Sequence, residues 1–292
     1  MRPRVAARAA WWYVSRALGR RTVSRTVHGH RMTLALDDPG VSRALWLHGT
    51  REPLETSIVR REVRPGMIVV DLGANLGYYT LLMANLVGSD GYVYAIEPNE
   101  ESVALLGDNM VGNDYGALVE IHCCAIADRR GSAVMHLGPT RNLHSLVPAW
   151  PSRSQPEIEV DILTLDECLA GRSIDFLRMD VEGGECEVFD GMTETIARNH
   201  PTILVEMHPD GPVDPDPRYT PRLERLLAAG YHAKWAISSF HPSSLGAYRA
   251  LGYTPETIAP NGQALFADIK GEHLLAVAAR RPKITRALCL SA

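Results

Sequence analysis

The stretch Val69–Thr80, VVDLGANLGYYT, decides the fold. Its first residues continue an apolar run that starts at Met67, and a run so rich in β-branched side chains suits a strand buried on both faces. At Gly73 the run breaks into a tight turn, and YYTLLMANLVG then reads as a helix. A strand, a glycine turn and a helix start, in that order, form the corner where open α/β sheets bind ligands. Gly73 and Gly77 let backbone approach a ligand closely, and the helix start offers unpaired N–H groups.

The same alternation continues downstream. YVYAIEP (Tyr92–Pro98) is a second strand, followed by a helix at ESVALLGDNMVGN, and LVEIHCCAIAD (Leu118–Asp128) is a third strand running into a loop. RRGSAVMHLG and EIEVDILTLDECL suggest shorter extended pieces around a loop at Pro139–Pro156. IDFLRMDVEGGE (Ile174–Glu185) is a fourth strand ending in acids, and TILVEMH (Thr202–His208) is a fifth. Strands alternating with helices at this spacing predict an α/β fold with a doubly wound, mostly parallel sheet.

Upstream, Arg51–Gly66 reads as a helix stopped at Pro65-Gly66, and residues 27–50 as a short hairpin and a helix. Residues 1–25 read as an arginine-rich helix with Trp11, Trp12, Tyr13 and Leu18. Past His208, DGPVDPDP is a loop, RLERLLAAG is a short helix, and 238–262 reads as loop. ALFADIK and HLLAVAA suit closing antiparallel strands. The expected organisation is an N-terminal helix-plus-hairpin extension (1–50), a catalytic domain (51–282) with substrate-covering loops at 209–262, and a C-terminal tail (283–292). Trp235, Phe240, His241, Tyr248 and Tyr253 could stack on a substrate there, or simply pack a compact subdomain.

Composition narrows the classes. The 292 residues are 46% hydrophobic and carry a net charge of -4, ordinary for a globular protein. The charge is uneven, however. Residues 1–31 hold eight arginines and no acid, so 22 of the 30 basic residues face all 34 acids in the remainder, a body of -12. An acidic body with no RNA-binding motif speaks against nucleic-acid partners. The arginines beside tryptophan admit peripheral contact with an anionic membrane, and a homo-oligomer is compatible with the same features. Five cysteines without a CxxC pair suit a reducing compartment rather than a disulfide framework or zinc site. No apolar run is long enough to span a bilayer and AAWWYV is short for a signal peptide, so the expected location is cytoplasmic, with membrane association admitted.

Spacing then selects the ligand. A dinucleotide site carries GxGxxG and a phosphate loop GxxxxGK[ST]; neither is present, and the glycines of GANLG lie four apart. Glu97 ends the second strand, where a carboxylate can accept both hydroxyls of a ribose.

VVDLGANLGYYTLLMA, GYVYAIEPN, IDFLRMDVEGGE and ILVEMH together resemble the FkbM family of methyltransferases. HGHRMTLALDD, the EPLET segment, AIADRRG and LTLDE extend the likeness over roughly residues 27–210. The resemblance implies a Rossmann-like class I enzyme using S-adenosylmethionine, most often to methylate oxygen on sugars, polyketides and other natural products. It places Asp71, Gly73, Ala74, Asn75, Gly77 and Tyr78 around the methionine part of the cofactor, and Glu97 and Pro98 at the ribose. Cys124 and Ala125 border the adenine, with Asp128 a weaker candidate, and Asp180 lies beside the sulfonium. Glu52, Glu55 and Thr56 of EPLET would close over the methionine end.

Asp180, Glu182, Glu185, Glu206 and His208 end adjacent strands and so share one rim. His208 is the expected general base, because an unperturbed imidazole titrates near ~6.5. Glu182 or Glu206 would orient it or the acceptor. The same group could hold a divalent metal, but no metal is assigned. His28, His30 and His144 have no evident partners by spacing; His144 lies on a loop where an acceptor could bind. The leading function is O-methylation of a hydroxyl on a saccharide, glycolipid or polyketide-like product. Transfer to nitrogen or carbon, an NAD-dependent oxidoreductase on a similar fold, and a non-catalytic SAM-fold binding module are the alternatives.

Overall fold

The computed structural model describes residues 3–147, 155–208, 218–238, 242–276 and 285–292. The chain opens with α1 (Pro3–Ala17), the hairpin β1 (Thr22–Val27) and β2 (His30–Ala35), then α2 (Val41–His48) and α3 (Pro53–Glu62). The alternating core follows as β3 (Ile68–Leu72), α4 (Tyr78–Val87), β4 (Tyr92–Ile96), α5 (Glu100–Val111) and β5 (Val119–His122). β6 (Ala125–Ile126), β7 (Gly131–His136) and β8 (Glu157–Leu163) come next, before α6 (Leu165–Leu169) and β9 (Phe176–Met179). The remainder comprises α7 (Glu185–Asp190), α8 (Thr193–Asn199), β10 (Thr202–Glu206), α9 (Tyr219–Ala228), β11 (His232–Ser238), α10 (Pro242–Ala250), β12 (Thr257–Ile258), β13 (Ala264–Ile269), α11 (Gly271–Leu274) and β14 (Thr285–Ser291).

One nine-stranded sheet in the order β12-β13-β11-β14-β10-β9-β3-β4-β5 organises these elements. β5, β4, β3, β9 and β10 run parallel, each paired with its neighbour. β14 is antiparallel to both β10 and β11. The chain winds outward from β3 to β5 and then returns to lay β9 on the other side of β3. That reversal opens a crevice at the carboxyl ends of β3 and β9, the switch point at which such sheets take ligands.

The sheet is buried on both sides because successive residues of a strand point to opposite faces. Val70 and Leu72 of β3, with Tyr94 and Ile96 of β4, join the apolar layer on one face. Val69, Val93 and Ala95 join the other. That second layer also takes in Trp12, Val23, Met32, Leu45 and Ile58, so the N-terminal extension shares its core with the sheet. Two asparagines one turn apart on α5 and just past its end stitch the hairpin down. The Asn109 side chain accepts from the Thr33 N–H at 2.6 Å and donates to the Leu76 carbonyl at 2.8 Å. Asn113 accepts from the Arg31 N–H at 2.9 Å and donates to its carbonyl at 2.8 Å. They satisfy backbone groups that a further strand would otherwise pair.

Three expectations need correction. LVEIHCCAIAD is two strands in different sheets: β5 edges the large sheet, and β6 joins β8 and β7 in a three-stranded one. No glycine or proline marks the break at Cys123-Cys124, so an apolar run concealed it. Within 238–262 the chain forms α10, whose Tyr248 stacks on Phe266 at 4.2 Å between ring centres. Burial against β13 builds a helix that its serines and glycine do not advertise. Finally, residues 285–291 are no tail. They form the strand between β10 and β11, whereas HLLAVAA contributes to α11, with residues 277–279 outside the described residues.

Gly73 is the tightest point of the crevice. Its φ is 76°, and a Cβ there would lie 1.9 Å from the backbone carbonyl oxygen of Asp180. Gly73→Ala is therefore expected to destabilise the fold by about 3 kcal/mol, combining left-handed strain with overpacking. Denaturant unfolding checks this; a change below half that value would mean the β3 and β9 ends can part freely.

Candidate active site

Arg178, the third residue of β9, is a charge inside a strand whose four residues are all buried. It donates to Asp71 Oδ1 at 3.3 Å, to the Gly73 carbonyl at 3.3 Å and to Asp180 Oδ2 at 2.6 Å. Its guanidinium lies 4.2 Å from the Tyr79 ring centre. Thr80 donates to the second oxygen of Asp71 at 2.7 Å. Burial works to raise the Asp180 carboxyl, but the charges of Arg178 and His208 hold it below the usual range. Burial raises the Asp71 carboxyl despite the same guanidinium.

The turn after β3 is fully bonded within the protein. The N–H groups of Gly73 and Ala74 both donate to the Ile96 carbonyl, and Gly77 donates to that of Ala74. Asn75 N–H donates to Glu97 Oε2, and Leu76 N–H to the Asn75 side chain, each at 2.9 Å. The N–H groups from Gly73 to Gly77 are therefore all taken up within the protein. Both glycines also serve packing: Gly73 clears the Asp180 carbonyl, and Gly77 clears Leu106 and Met110 of α5.

One cleft lies above this turn. Gly73, Ala74, Asn75, Tyr78, Glu97, Pro98, Cys124, Ala125, Asp180 and Glu182 line it, as the sequence suggested. Asp71 and Gly77 do not: the first is sealed beneath Arg178, the second under α5. Glu97 accepts backbone N–H groups from Asn75 and Asn99 at 2.9 Å each, one per oxygen. Burial pushes its carboxyl up to about 7 against those two hydrogen bonds.

EPLET divides. Glu52 reaches the cleft and accepts from Tyr79 Oη at 3.0 Å. Thr56 lies behind it, 3.0 Å from Tyr78 Oη, which also meets His28 Nε2 at 2.8 Å. Burial, with Glu52 beside it, pushes Glu55 up to about 8. Asp128 pairs with Arg129 at the surface, away from the cleft. Residues within 141–146, which follow β7, line the other side. There Arg141 bridges Glu101 at 2.9 Å and Asp37 at 3.4 Å, and His144 faces the cleft with a buried, unpartnered Nδ1. Burial and Arg141 lower the proton affinity of that imidazole.

At the rim, His208 Nδ1 lies 2.9 Å from Glu185 Oε1, and Tyr219 donates to the other oxygen of Glu185 at 2.8 Å. Its Nε2 looks toward Glu182 at 3.4 Å, Glu206 at 3.7 Å and Asp180 at 3.9 Å. Burial opposes a charge on this ring. The hydrogen bond to Glu185 and the surrounding carboxylates outweigh it and push His208 up to about 10. These surroundings favour the protonated ring, which weighs against the expected role of His208 as base. Burial pushes Glu182 up to about 8 and Glu206 to about 7. Donor atoms of Asp180, Glu182 and His208 lie within 4.8 Å of one another, a set that could hold a cation.

The Methyltransferase FkbM domain profile matches residues 71–233, more than half of the chain. The chain belongs to the FkbM methyltransferase family. A relative, the 31-O-demethyl-FK506 methyltransferase FkbM of Streptomyces tacrolimicus, is 26% identical over 179 residues, covering 50% of this chain and 67% of that one. The solved FkbM methyltransferase from Methylobacillus flagellatus is 17% identical with a TM-score of 0.37. The match covers 59% of this chain and 45% of that one, so this chain spans less than half the length of that FkbM relative. A SAM-dependent O-methyltransferase from Thermotoga maritima is 15% identical over 83% of this chain and 66% of its own, with a TM-score of 0.41.

As a methyltransferase of this family the chain uses S-adenosylmethionine, and the cleft fits that cofactor. Bonded N–H groups leave nothing in the Gly73–Gly77 turn for a pyrophosphate. The Glu97 carboxylate keeps lone pairs for two ribose hydroxyls. Asp180, held ionised by Arg178, puts a negative charge in the wall on the side of Glu182.

Sequence reasoning passed over Arg178, Tyr79 and Tyr219, and gave Glu185 no role of its own. A lone arginine in the apolar run IDFLRMD was the available signal, since an unpaired charge is almost never fully buried. Glu185 and Tyr219 carried none, being brought together only by α7 and α9. Removing the ribose acceptor in Glu97→Ala is expected to weaken binding of S-adenosylhomocysteine about 100-fold. In the unmodified protein affinity should fall as pH drops through about 7, because the carboxylate accepts hydroxyl protons and its acid does not. Calorimetry checks both; a pH-independent affinity that survives the substitution would move the ribose elsewhere.

Proposed function

We propose that this protein methylates a hydroxyl oxygen on a saccharide, glycolipid or polyketide-like product, with Glu182 as the general base. The observation that carries the reading is the pairing of Glu182, a carboxyl in the cleft wall pushed up to about 8, with the cationic His208 at 3.4 Å. The Streptomyces relative, named as acting at a 31-O position, supports oxygen as the acceptor atom.

S-adenosylmethionine supplies the electrophilic methyl group when bound. Glu97 holds its ribose, and Asp180, fixed by Arg178, presents a permanent negative charge to the sulfonium side. An alcohol is a poor nucleophile until its proton has somewhere to go. The Glu182 carboxylate takes that proton, and its raised affinity for protons makes it a better base than an ordinary glutamate. His208 holds Glu182 in place and limits how far its carboxyl is raised. Glu185 and Tyr219 fix the His208 ring. Glu206 faces the same Nε2 of His208 from outside the cleft lining and adds negative charge there. Transfer to an amine would make little demand on such a base.

The sign follows directly. Glu182 acts as carboxylate, so kcat rises with pH and reaches half its plateau near 8. Glu182→Gln is expected to lower kcat at least about 100-fold and abolish that rise. His208→Gln removes the cation that opposes protonation of Glu182, which moves the rise to higher pH. Single-turnover rates against pH with a hydroxylated acceptor check both. An undiminished rate in Glu182→Gln would remove it from the reaction.

A further inference from the structure

Helix α1 turns the wrong side outward for a surface helix. Trp12 and Ser15 are its buried residues, packed toward α2, where Trp46 Nε1 donates to the Arg8 carbonyl at 2.8 Å and Trp46 stacks on Trp11 at 4.8 Å. At 100° per residue, the arc opposite Trp12 holds Ala6, Ala7, Ala10, Tyr13, Val14 and Ala17, with Leu18 and Trp11 at one margin. That arc is exposed and contains no charge. Tyr13 is 55% exposed, Val14 56% and Leu18 72%. Of eight large hydrophobic side chains exposed among the described residues, four lie between Trp11 and Leu18, so the apolar surface is concentrated here.

The charges form a frame around it. Arg4 lies at one margin of the arc, the Arg20 guanidinium lies 5.8 Å from the Trp11 ring centre and that of Arg43 of α2 5.8 Å from the Tyr13 ring centre, while Arg8 and Arg16 lie nearer the packed side, where Arg8 donates to the Leu47 carbonyl. The first carboxylate of the sequence is Asp37, and neither α2 nor the hairpin carries an acid. An apolar strip bordered only by arginines, on a body of opposite net charge, calls for an occupant that is apolar inside and anionic at its surface. A second copy of this chain is a poor match. A two-fold contact through α1 would bring the arginine frames together with no acid between them.

We propose that α1 docks the protein in-plane on an anionic lipid bilayer, with Tyr13, Val14 and Leu18 entering the acyl boundary and the arginines at the phosphate level. The same α2 that carries Trp46 against α1 places Val41 in the cleft wall. The docked face and the active site are thus joined by one rigid helix. Because α1 contributes no residue to the cleft, this inference stands whether or not the acceptor is a hydroxyl.

Vesicle sedimentation with the intact protein tests it, using phosphatidylcholine with and without phosphatidylglycerol. Binding to the anionic vesicles should be at least about tenfold tighter than to the neutral ones and should weaken with salt. The double variant Val14→Glu, Leu18→Glu should lose at least about tenfold of that binding, while its unfolding midpoint and S-adenosylhomocysteine affinity stay unchanged. Three results would overturn the proposal: no binding to anionic vesicles, binding indifferent to the double variant, or a dimer in solution that the variant splits while the unmodified protein ignores vesicles.

Discussion

A single buried guanidinium holds the crevice together. Arg178 sits where β9 meets the turn after β3, and it ties Asp71, the Gly73 carbonyl and Asp180 into one unit. Two carboxylates facing one cation in a dry site persist only because each is paired and hydrogen-bonded. Removing the cation would strand both, at a cost of about 3–5 kcal/mol. The knot also fixes the floor of the cleft, since Asp180 is at once a partner of Arg178 and part of the wall.

The charge of the site follows from that floor. Asp180 is held ionised, and His208 gathers Glu182, Glu185 and Glu206 around it. The cleft lining holds Glu52, Glu97, Asp180 and Glu182 beside Arg51, Arg141 and Arg178, and its Gly73–Gly77 turn has no spare N–H groups for a phosphorylated cofactor. Proton affinity is then sorted by surroundings. Asp180 lies low beside Arg178, while Glu182 is raised by burial in the wall. Two acids two residues apart thereby take different roles.

Much of this was legible in the amino-acid sequence. Four of the five parallel strands could be read because continuous apolar runs ended in glycine or acid, and the strand ends located Glu97, Asp180, Glu182 and His208. What remained hidden depends on tertiary contact. The state of His208 could not be read, because Glu185 reaches it from α7 and Glu182 from the turn after β9. The break at Cys123-Cys124 lacked a turn residue, and β14 was obscured because a short terminal segment looks like a tail until it is seen between β10 and β11. The aromatics beyond His208 also resolve by packing: Trp235 donates to Glu62 at 2.8 Å under Arg61, and Tyr253 bonds to His273 at 2.9 Å. Phe240 and His241 lie outside the described residues.

The most direct test is a calorimetric titration of the intact protein with S-adenosylmethionine, S-adenosylhomocysteine and NAD in parallel. Saturable one-to-one binding of the two adenosyl compounds, with no heat from NAD, is the expected result. Saturation by NAD, or silence toward both adenosyl compounds, would contradict the assignment of the crevice above Arg178 to a sulfonium donor.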